Sequence, residues 1–394
     1  MISDLRAAEP SLRVGGFALA GVSAVYAASL VAVAVPSSWD WGHVVVAALW
    51  SAVAVSLVWT RLRDWSMGAL AACVGLVVLY DLPQLTETPR SWSFAVVAGA
   101  AFVIGLVYEL RSTGRAAPAF AALAASAGLA AASAYELLDA DARAWMFLAL
   151  AAAYALTGAV LLHRRRDFAT ALGIAAFALA IPASIWLLDG TWLVLAWAAA
   201  AAALVVLARF EPRLQIAALA CIALALGHAL RFEAPPADAL IARVHPGSGV
   251  PALLLVVAAL VVFVRDRTVG RNRLRWLCGA VALYAATLGI LEASEDLGGT
   301  VSGAFQRGHT AVSAVWAVVG LVLLVLGLRR SRALQSRALQ IGGFALFGFS
   351  LAKLFLYDLA FLTSITRAFS FVAVGMLILV GGFFYQRMAL DSRM

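Results

Sequence analysis

The sequence predicts an all-α integral membrane protein, a polytopic bundle of about fourteen transmembrane helices. Hydrophobic residues make up 64% of the chain and charged residues only 13%, whereas a soluble domain is about half apolar and a quarter charged. The mean hydropathy is +0.95. The apolar runs are close to the roughly 20 residues that a helix needs to cross the hydrocarbon core, and they lack the alternation of membrane β-strands.

The spans follow from apolar runs that are bounded by arginine, proline, glycine or acidic residues. We expect one polytopic domain over residues 1–394 with spans at 14–35, 43–60, 66–82, 92–110, 117–138, 143–162, 168–188, 192–208, 214–230, 250–264, 276–291, 310–328, 338–357 and 367–385. The first run is longer than the apolar core of a signal peptide, so we interpret it as an uncleaved anchor.

Basic residues test this division, because a missed or invented span would disrupt their alternation between the two sides. Every second loop is rich in arginine: Arg61, Arg63, Arg111, Arg115, Arg164, Arg165, Arg166, Arg209, Arg213, Arg265, Arg267, Arg271, Arg273, Arg275, Arg329, Arg330, Arg332 and Arg337. The intervening loops carry most of the carboxylates. The alternation predicts that both termini are cytoplasmic and that the opposite, outer face is acidic.

The net charge of +8 does not indicate nucleic-acid binding, because the basic residues lie in short turns between apolar runs. The predicted partners are the lipid bilayer and other envelope proteins. No motif indicates a cofactor, and no two histidines have the spacing of metal ligands. We expect a multi-pass protein of a cytoplasmic membrane.

A weak internal repeat is present, because several spans end in an aromatic or leucine residue followed by a carboxylate. Asp81, Glu136 and Asp189 are spaced by about the length of one two-helix hairpin. Tandem hairpin duplication would explain this spacing, as in other membrane folds built from repeats. The general preference of tyrosine, tryptophan and acids for membrane edges explains it equally well.

The C-terminal part contains the segments 308–317 (GHTAVSAVWA), 353–359 (KLFLYDL), 367–371 (RAFSF) and 385–387 (YQR). Over about residues 305–388 this resembles the closing part of the bacterial predicted membrane proteins called domain of unknown function 2339. Members of that family are usually longer, with a polar or coiled-coil N-terminal region. The resemblance implies a bacterial membrane protein and transfers no catalytic residues.

Lys353 is the only lysine in the chain, and it lies inside the thirteenth predicted span. Ionisable residues within a membrane are candidates for function, because burying a charge there costs about 3 kcal/mol. Lys353 is also close enough to the span's outer end to extend toward the interface, with Asp358 as its expected partner. The two interpretations are a structural pair and a direct role in binding a substrate or ion.

His309 and Ser313 are one turn apart, so they lie on the same face of the twelfth predicted span. Such a pair could act as base and nucleophile, but a hydrolase also needs an orienting acid and an oxyanion hole. Helix packing with an interhelical hydrogen bond requires nothing more, and we favour it.

Glu292, Glu295 and Asp296 precede a glycine-rich loop at the predicted outer face. Together with His309 and Asp358 they are expected to border one outward-facing cavity, because consecutive spans are usually neighbours. A flexible connector facing lipid headgroups is the alternative.

The predicted span centres contain hydroxyl groups but no carboxylate, histidine or arginine, whereas ion-coupled transporters usually place such groups there. We therefore expect a protein that binds or scaffolds at the outer face. A transporter or flippase for an uncharged or amphipathic substrate is one alternative. A membrane enzyme acting on a lipid-linked substrate at the outer leaflet is another, so enzymatic activity stays open.

Overall fold

The computed structural model describes residues 40–60, 62–111, 117–241, 244–245, 247–265, 271–329 and 334–356, together with residues 372, 375–376 and 379–380. The first predicted span, 14–35, and most of the fourteenth, 367–385, lie outside the described residues. The number fourteen therefore stays a prediction.

The described residues form twelve helices that correspond one to one with predicted spans two to thirteen. They are α1 Asp40–Val58, α2 Arg63–Gln84, α3 Glu87–Arg111, α4 Ala117–Leu137, α5 Ala140–Leu161, α6 Arg166–Leu187, α7 Gly190–Leu207, α8 Leu214–Glu233, α9 Gly249–Arg265, α10 Arg271–Asp296, α11 Val301–Arg329 and α12 Leu334–Leu356. A short helical turn, Asp238–Ile241, lies between α8 and α9.

Ten of these helices are long and apolar enough to cross a membrane, namely α1 to α8, α10 and α11. Helix α9 is equally apolar but has only 17 residues. In hydrocarbon each backbone amide must be satisfied within its own segment, so long apolar runs fold as helices. These helices confirm the all-helical, polytopic class.

Two helices contain a π-helical turn near their C-terminal end. In α2 the turn is Val77–Asp81, where the amide of Leu82 donates to the carbonyl of Val77. In α8 it is Ala229–Glu233, where the amide of Ala234 donates to the carbonyl of Ala229. Such turns insert one extra residue and are frequent at functional sites.

The chain divides into two compact units, Met1–Asp189 (unit 1) and Gly190–Met394 (unit 2). In unit 1, α1 packs on α2 and α3, α3 packs on α4, and α5 packs on α6. Its buried side chains form two apolar clusters. One is centred on α1, α2 and α3, and the other on α4, α5 and α6.

In unit 2 the corresponding helices meet in the same order. Helix α7 packs on α8 and α9, α9 packs on α10, and α11 packs on α12. These main helix pairs thus recur in the same order in both units over six described helices.

Two pairs of matching contacts, one member of each pair in each unit, show which residues correspond. Gly158 of α5 faces the carbonyl of Ala169 in α6, and Gly320 of α11 faces the carbonyl of Gly343 in α12. One helical turn earlier, Tyr154 shares a hydrogen bond with Ser126 of α4 (2.7 Å). Its counterpart Trp316 donates to Thr287 of α10 (2.9 Å). Helix α11 therefore occupies in unit 2 the place of α5 in unit 1.

Candidate functional site

Helices α11 and α12 bring together three of the predicted site residues. The Nζ atom of Lys353 donates to the carbonyl oxygen of His309 (3.0 Å) and to Oγ of Ser313 (2.9 Å). Ser350 donates to the carbonyl oxygen of Ser313 (2.6 Å). We call His309, Ser313, Ser350 and Lys353 the lysine cluster.

The lysine cluster is almost enclosed by protein. His309, Ser313 and Ser350 are buried, and Lys353 is partly buried. Oγ of Ser313 also donates to the carbonyl of His309 (3.1 Å), and the imidazole of His309 packs on the ring of Phe305. Polar side chains of one helix thus bind the backbone of its neighbour, which strengthens helix association in a membrane.

Small residues allow the close approach that this cluster requires. Gly308 lies against Leu291 and Ser294 of α10, where an added methyl group would collide with both side chains. Gly320 and Gly343 face each other's backbone between α11 and α12. Glycine at such contacts lets helix backbones approach closely, which brings Lys353 within reach of the carbonyls of α11.

The predicted acidic residues have other surroundings. Glu295 is bound to His245, whose Nδ1 lies 2.6 Å from Oε1 and whose backbone amide donates to Oε2 (3.2 Å). Glu292 is partly buried and Asp296 is exposed. Arg307 donates to the carbonyls of Ser294 and Gly298 and so holds the glycine-rich loop.

Asp358, the expected partner of Lys353, lies outside the described residues, so the predicted pair stays untested. Among the described residues, His309, Ser313 and Lys353 converge between α11 and α12, whereas Glu295 ties the end of α10 to the segment before α9. The shared outward-facing cavity stays a prediction.

Three of the histidines each lie near a different carboxylate. His43 is 3.8 Å from Asp81, His228 is 3.7 Å from Glu233, and His245 is 2.6 Å from Glu295. In the part of the chain that the structure describes, no three histidine, cysteine or acidic side chains converge as metal ligands. His43 and Asp81, and His245 and Glu295, are far apart in the chain, so their pairing could not be read from the sequence. His228 and Glu233 are five residues apart in α8 and meet across its π-helical turn, which the sequence did not indicate.

A cavity of about 570 Å³ lies between α10, α11 and α12, and we call it the groove. Its lining is mainly apolar, with two polar residues at the start of α10: Asn272, Arg275, Trp276, Gly279, Ala280, Leu283, Val319, Leu323, Ala338, Leu339, Gly342 and Leu346. None of the predicted site residues lines the groove, which uses the other halves of the same three helices. Its volume is within the range of small-molecule sites.

The groove reflects a local difference between the two units. In unit 1, α4 packs against α6, and Phe120 meets Phe168 edge to face (5.6 Å between ring centres). Phe168 precedes Ala169, the residue that faces Gly158. At the corresponding place in α12, before Gly343, the residue is Gly342, and the ring of Trp276 lies against it. Gly342 thus takes the place of a residue as large as Phe168, and this difference leaves space between α10 and α12.

These features define the class: an integral multi-pass membrane protein made of helices in contact with the lipid bilayer. The model of the predicted membrane protein family DUF2339 matches residues 250–388. This match confirms the resemblance seen in the C-terminal sequence and extends it toward the N-terminus to include α9 and α10. No curated protein and no solved structure matches the chain. The family match contains the groove and the lysine cluster.

Proposed function

We propose that the protein is a transporter or flippase for an amphipathic lipid with an anionic headgroup, which binds in the groove between α10, α11 and α12. The observation that carries this proposal is the groove itself, an apolar cavity with an arginine at one end. Lipid tails would occupy the apolar lining, and the headgroup would lie near Arg275 and Asn272. A guanidinium group suits this position because it binds phosphate or carboxylate oxygens in a bidentate manner.

The position of the arginine supports a headgroup at this end. Arg275 is exposed and stands in the first turns of α10, next to Trp276. Arginine and tryptophan are typical of the boundary between hydrocarbon and water. The remaining lining, from Gly279 to Leu283 and from Gly342 to Leu346, is apolar and continues toward the middle of the helices.

The lysine cluster lies in the other halves of the same two helices, near the start of α11 and the end of α12. It gives the same helix pair a second place where a polar headgroup could be held, and we propose it as a site along the path of the lipid. In this proposal, His309, Ser313, Lys353 and Asp358 would contact the headgroup as it passes.

The other two functions have less support from the described contacts. Binding at the outer face would use Glu292, Glu295 and Asp296, but Glu295 is engaged by His245 within the same unit. An enzyme would need the hydroxyl proton of Ser313 to reach a base, and that hydroxyl donates to a backbone carbonyl. We therefore place both functions after lipid transport.

We further propose that the protein resides in a bacterial cytoplasmic membrane, with both termini in the cytoplasm. The alternation of arginine-rich loops supports this topology. It would place Arg275 at the cytoplasmic side, where the leaflet is rich in anionic lipid.

Native mass spectrometry of the purified chain tests lipid binding, with phosphatidylglycerol and phosphatidylcholine as the two probes. We expect preferential retention of phosphatidylglycerol, and a loss of roughly tenfold in its affinity in Arg275→Gln, because a charge-assisted hydrogen bond contributes about 1.5–3 kcal/mol. Arg273→Gln is the matched control, since Arg273 is an exposed arginine two residues away that does not line the groove.

A second pair of variants tests the cavity rather than the charge. Gly279 lines the groove and has no atom within 4 Å of an added methyl group, so Gly279→Leu fills the space without a collision at Cβ. Gly348→Leu is its control, at an equally open glycine outside the lining. Equal lipid retention by wild type, Arg275→Gln and Gly279→Leu would contradict the proposed site.

Movement across the bilayer is measured separately, with fluorescent phosphatidylglycerol in vesicles that contain the protein. We expect faster exchange between leaflets with the wild type than with Gly279→Leu. Binding without any acceleration of exchange would reject transport and leave lipid binding alone.

A further inference from the structure

A second unusual site lies in unit 1, at the π-helical turn of α2. Asp81 is the last residue of this turn, and its side chain is fully buried (0% exposed). Neither carboxyl oxygen has a hydrogen-bond partner among the described residues. A carboxylate in such surroundings is among the costliest groups to bury.

The groups that face Asp81 come from α1 and α3. Nδ1 of His43, itself 2% exposed, lies 3.8 Å from Oδ1 of Asp81. The buried hydroxyl of Ser93 of α3 also adjoins the Asp81 carboxyl. Asp40 lies near His43 and accepts a hydrogen bond from Thr86.

Arg90 of α3 is bonded to groups other than Asp81. It donates to Glu136 (2.8 Å) and to the carbonyl of Leu82 (3.1 Å). Thus no arginine or lysine of the described residues forms an ion pair with Asp81. His43 is the nearby group that could balance its charge.

One proton shared by His43 and Asp81 can reside on either group. On the imidazole it gives a charged pair, and on the carboxyl it gives two neutral groups. A charged pair would have to offset the desolvation of two ions without a direct hydrogen bond, since 3.8 Å is too long for one. A protonated carboxyl beside a neutral imidazole avoids both desolvation costs. It also provides an O–H donor for a neighbouring acceptor.

We propose that Asp81, with His43 and Ser93, forms a proton-binding site in which the proton resides on the Asp81 carboxyl at neutral pH. This site is independent of the lipid groove of unit 2. The ligand is the proton, bound in a place that the π-helical turn creates by directing an acidic residue into the protein.

The matching turn in unit 2 provides an internal comparison. Glu233 ends the π-helical turn of α8 as Asp81 ends that of α2. However, Glu233 lies against Gly190 at the start of α7, 3.4 Å from where a Cβ would be. The amino end of a helix stabilises a negative charge. The two turns thus place their acidic residues in different surroundings, and neither oxygen of Asp81 has a hydrogen-bond partner among the described residues.

Infrared spectroscopy of the full chain in lipid nanodiscs tests the proposal, because a protonated carboxyl has a C=O band separate from that of a carboxylate. We expect wild-type protein at neutral pH to show a protonated band that shifts when aspartate is isotope-labelled. The band should be lost in Asp81→Asn. Glu136→Gln and Glu233→Gln are matched controls and should leave the protonated aspartate band unchanged.

The wild-type measurement stands even if a variant does not fold. Absence of any protonated aspartate band from labelled wild-type protein would overturn the proposal. In His43→Gln we expect the protonated band to persist. If the band is present only in that variant, the proton normally resides on His43, and the proposal is also overturned.

Discussion

The lysine cluster is a polar contact between α11 and α12, whereas the corresponding contact in unit 1, between α5 and α6, is apolar. In the register fixed by Gly158 and Gly320, the positions of His309, Ser313, Ser350 and Lys353 correspond to Phe147, Ala151, Ala176 and Leu179. Those four residues are buried in one apolar cluster between α5 and α6. Packing of this helix pair therefore does not require polar residues, which supports a functional role for the cluster.

The first prediction compares a single change with replacement of the whole lysine cluster. Lys353→Met removes the donor to the carbonyl of His309 and to Ser313, and leaving buried acceptors unsatisfied should cost about 1–3 kcal/mol. A quadruple variant with the unit 1 residues (His309→Phe, Ser313→Ala, Ser350→Ala, Lys353→Leu) should recover most of this loss.

Thermal unfolding in detergent measures both variants of this comparison. A quadruple variant that unfolds at a lower temperature than Lys353→Met would show that the polar contacts maintain the fold. A quadruple variant that is stable but does not accelerate lipid exchange would support a functional cluster.

Sequence could identify some of these residues and not others. Lys353 stands out as the single lysine within an apolar run, and the spacing of His309 and Ser313 places them on one helix face. Ser350 carries no such signal, because its role depends on which carbonyl of α11 it meets. His43 was not singled out and Asp81 was noted only as part of a weak repeat, since sequence gives no register between α1 and α2.

At the scale of elements, the helix positions were predictable because the bilayer imposes both length and composition. Every predicted span from 43–60 to 338–357 overlaps one described helix, and most of the helices begin a few residues before the predicted span. The π-helical turns were not predicted. Neither Val77–Asp81 nor Ala229–Glu233 contains a proline or glycine that would indicate an irregular turn.

The second prediction concerns the close contact between α11 and α12. A methyl group on Gly320 would lie 2.9 Å from the amide of Phe347 and 3.0 Å from the carbonyl of Gly343. Both are backbone atoms that cannot move aside, so Gly320→Ala should destabilise the protein by about 1–3 kcal/mol. Thermal unfolding in detergent measures the effect.

Two other glycines serve as graded controls for this contact. Gly158→Ala should cost less, because its nearest atoms would be at 3.1 and 3.3 Å, and Gly348→Ala should cost nothing, because no atom lies within 4 Å. Equal unfolding temperatures for all three variants would show that close backbone approach does not limit the packing of these helix pairs.

At the scale of the whole chain, the repeat seen in the helix contacts is six helices long. It is thus larger than the two-helix hairpin repeat that the acidic residues suggested. Gly158 with Gly320, and Tyr154 with Trp316, relate α5 to α11 across six helices. Sequence did not indicate this relation, because the matched residues differ in type except for the glycines. Hairpin duplication within each unit stays a prediction.

The family match covers one of the two proposed sites, the lipid site of unit 2, and leaves out the proton site of unit 1. Residues 250–388 fall within unit 2, which contains the groove and the lysine cluster. The buried Asp81 is in unit 1, outside the matched segment. We therefore expect proteins that match the same family model to share the proposed lipid site, and the proton site to be more specific to this chain.

The final prediction is the membrane topology, which follows from the distribution of arginine along the chain. Reporter domains should be fused after Arg115, Arg166, Arg275 and Arg337 and, for the opposite side, after Asp141, Asp238 and Asp296. The first group should indicate the cytoplasm and the second group the outside, because short loops rich in arginine are retained in the cytoplasm. One reproducible reversal would contradict the fourteen-span arrangement, and a reversal at Arg275 would also place the headgroup end of the groove at the outer leaflet.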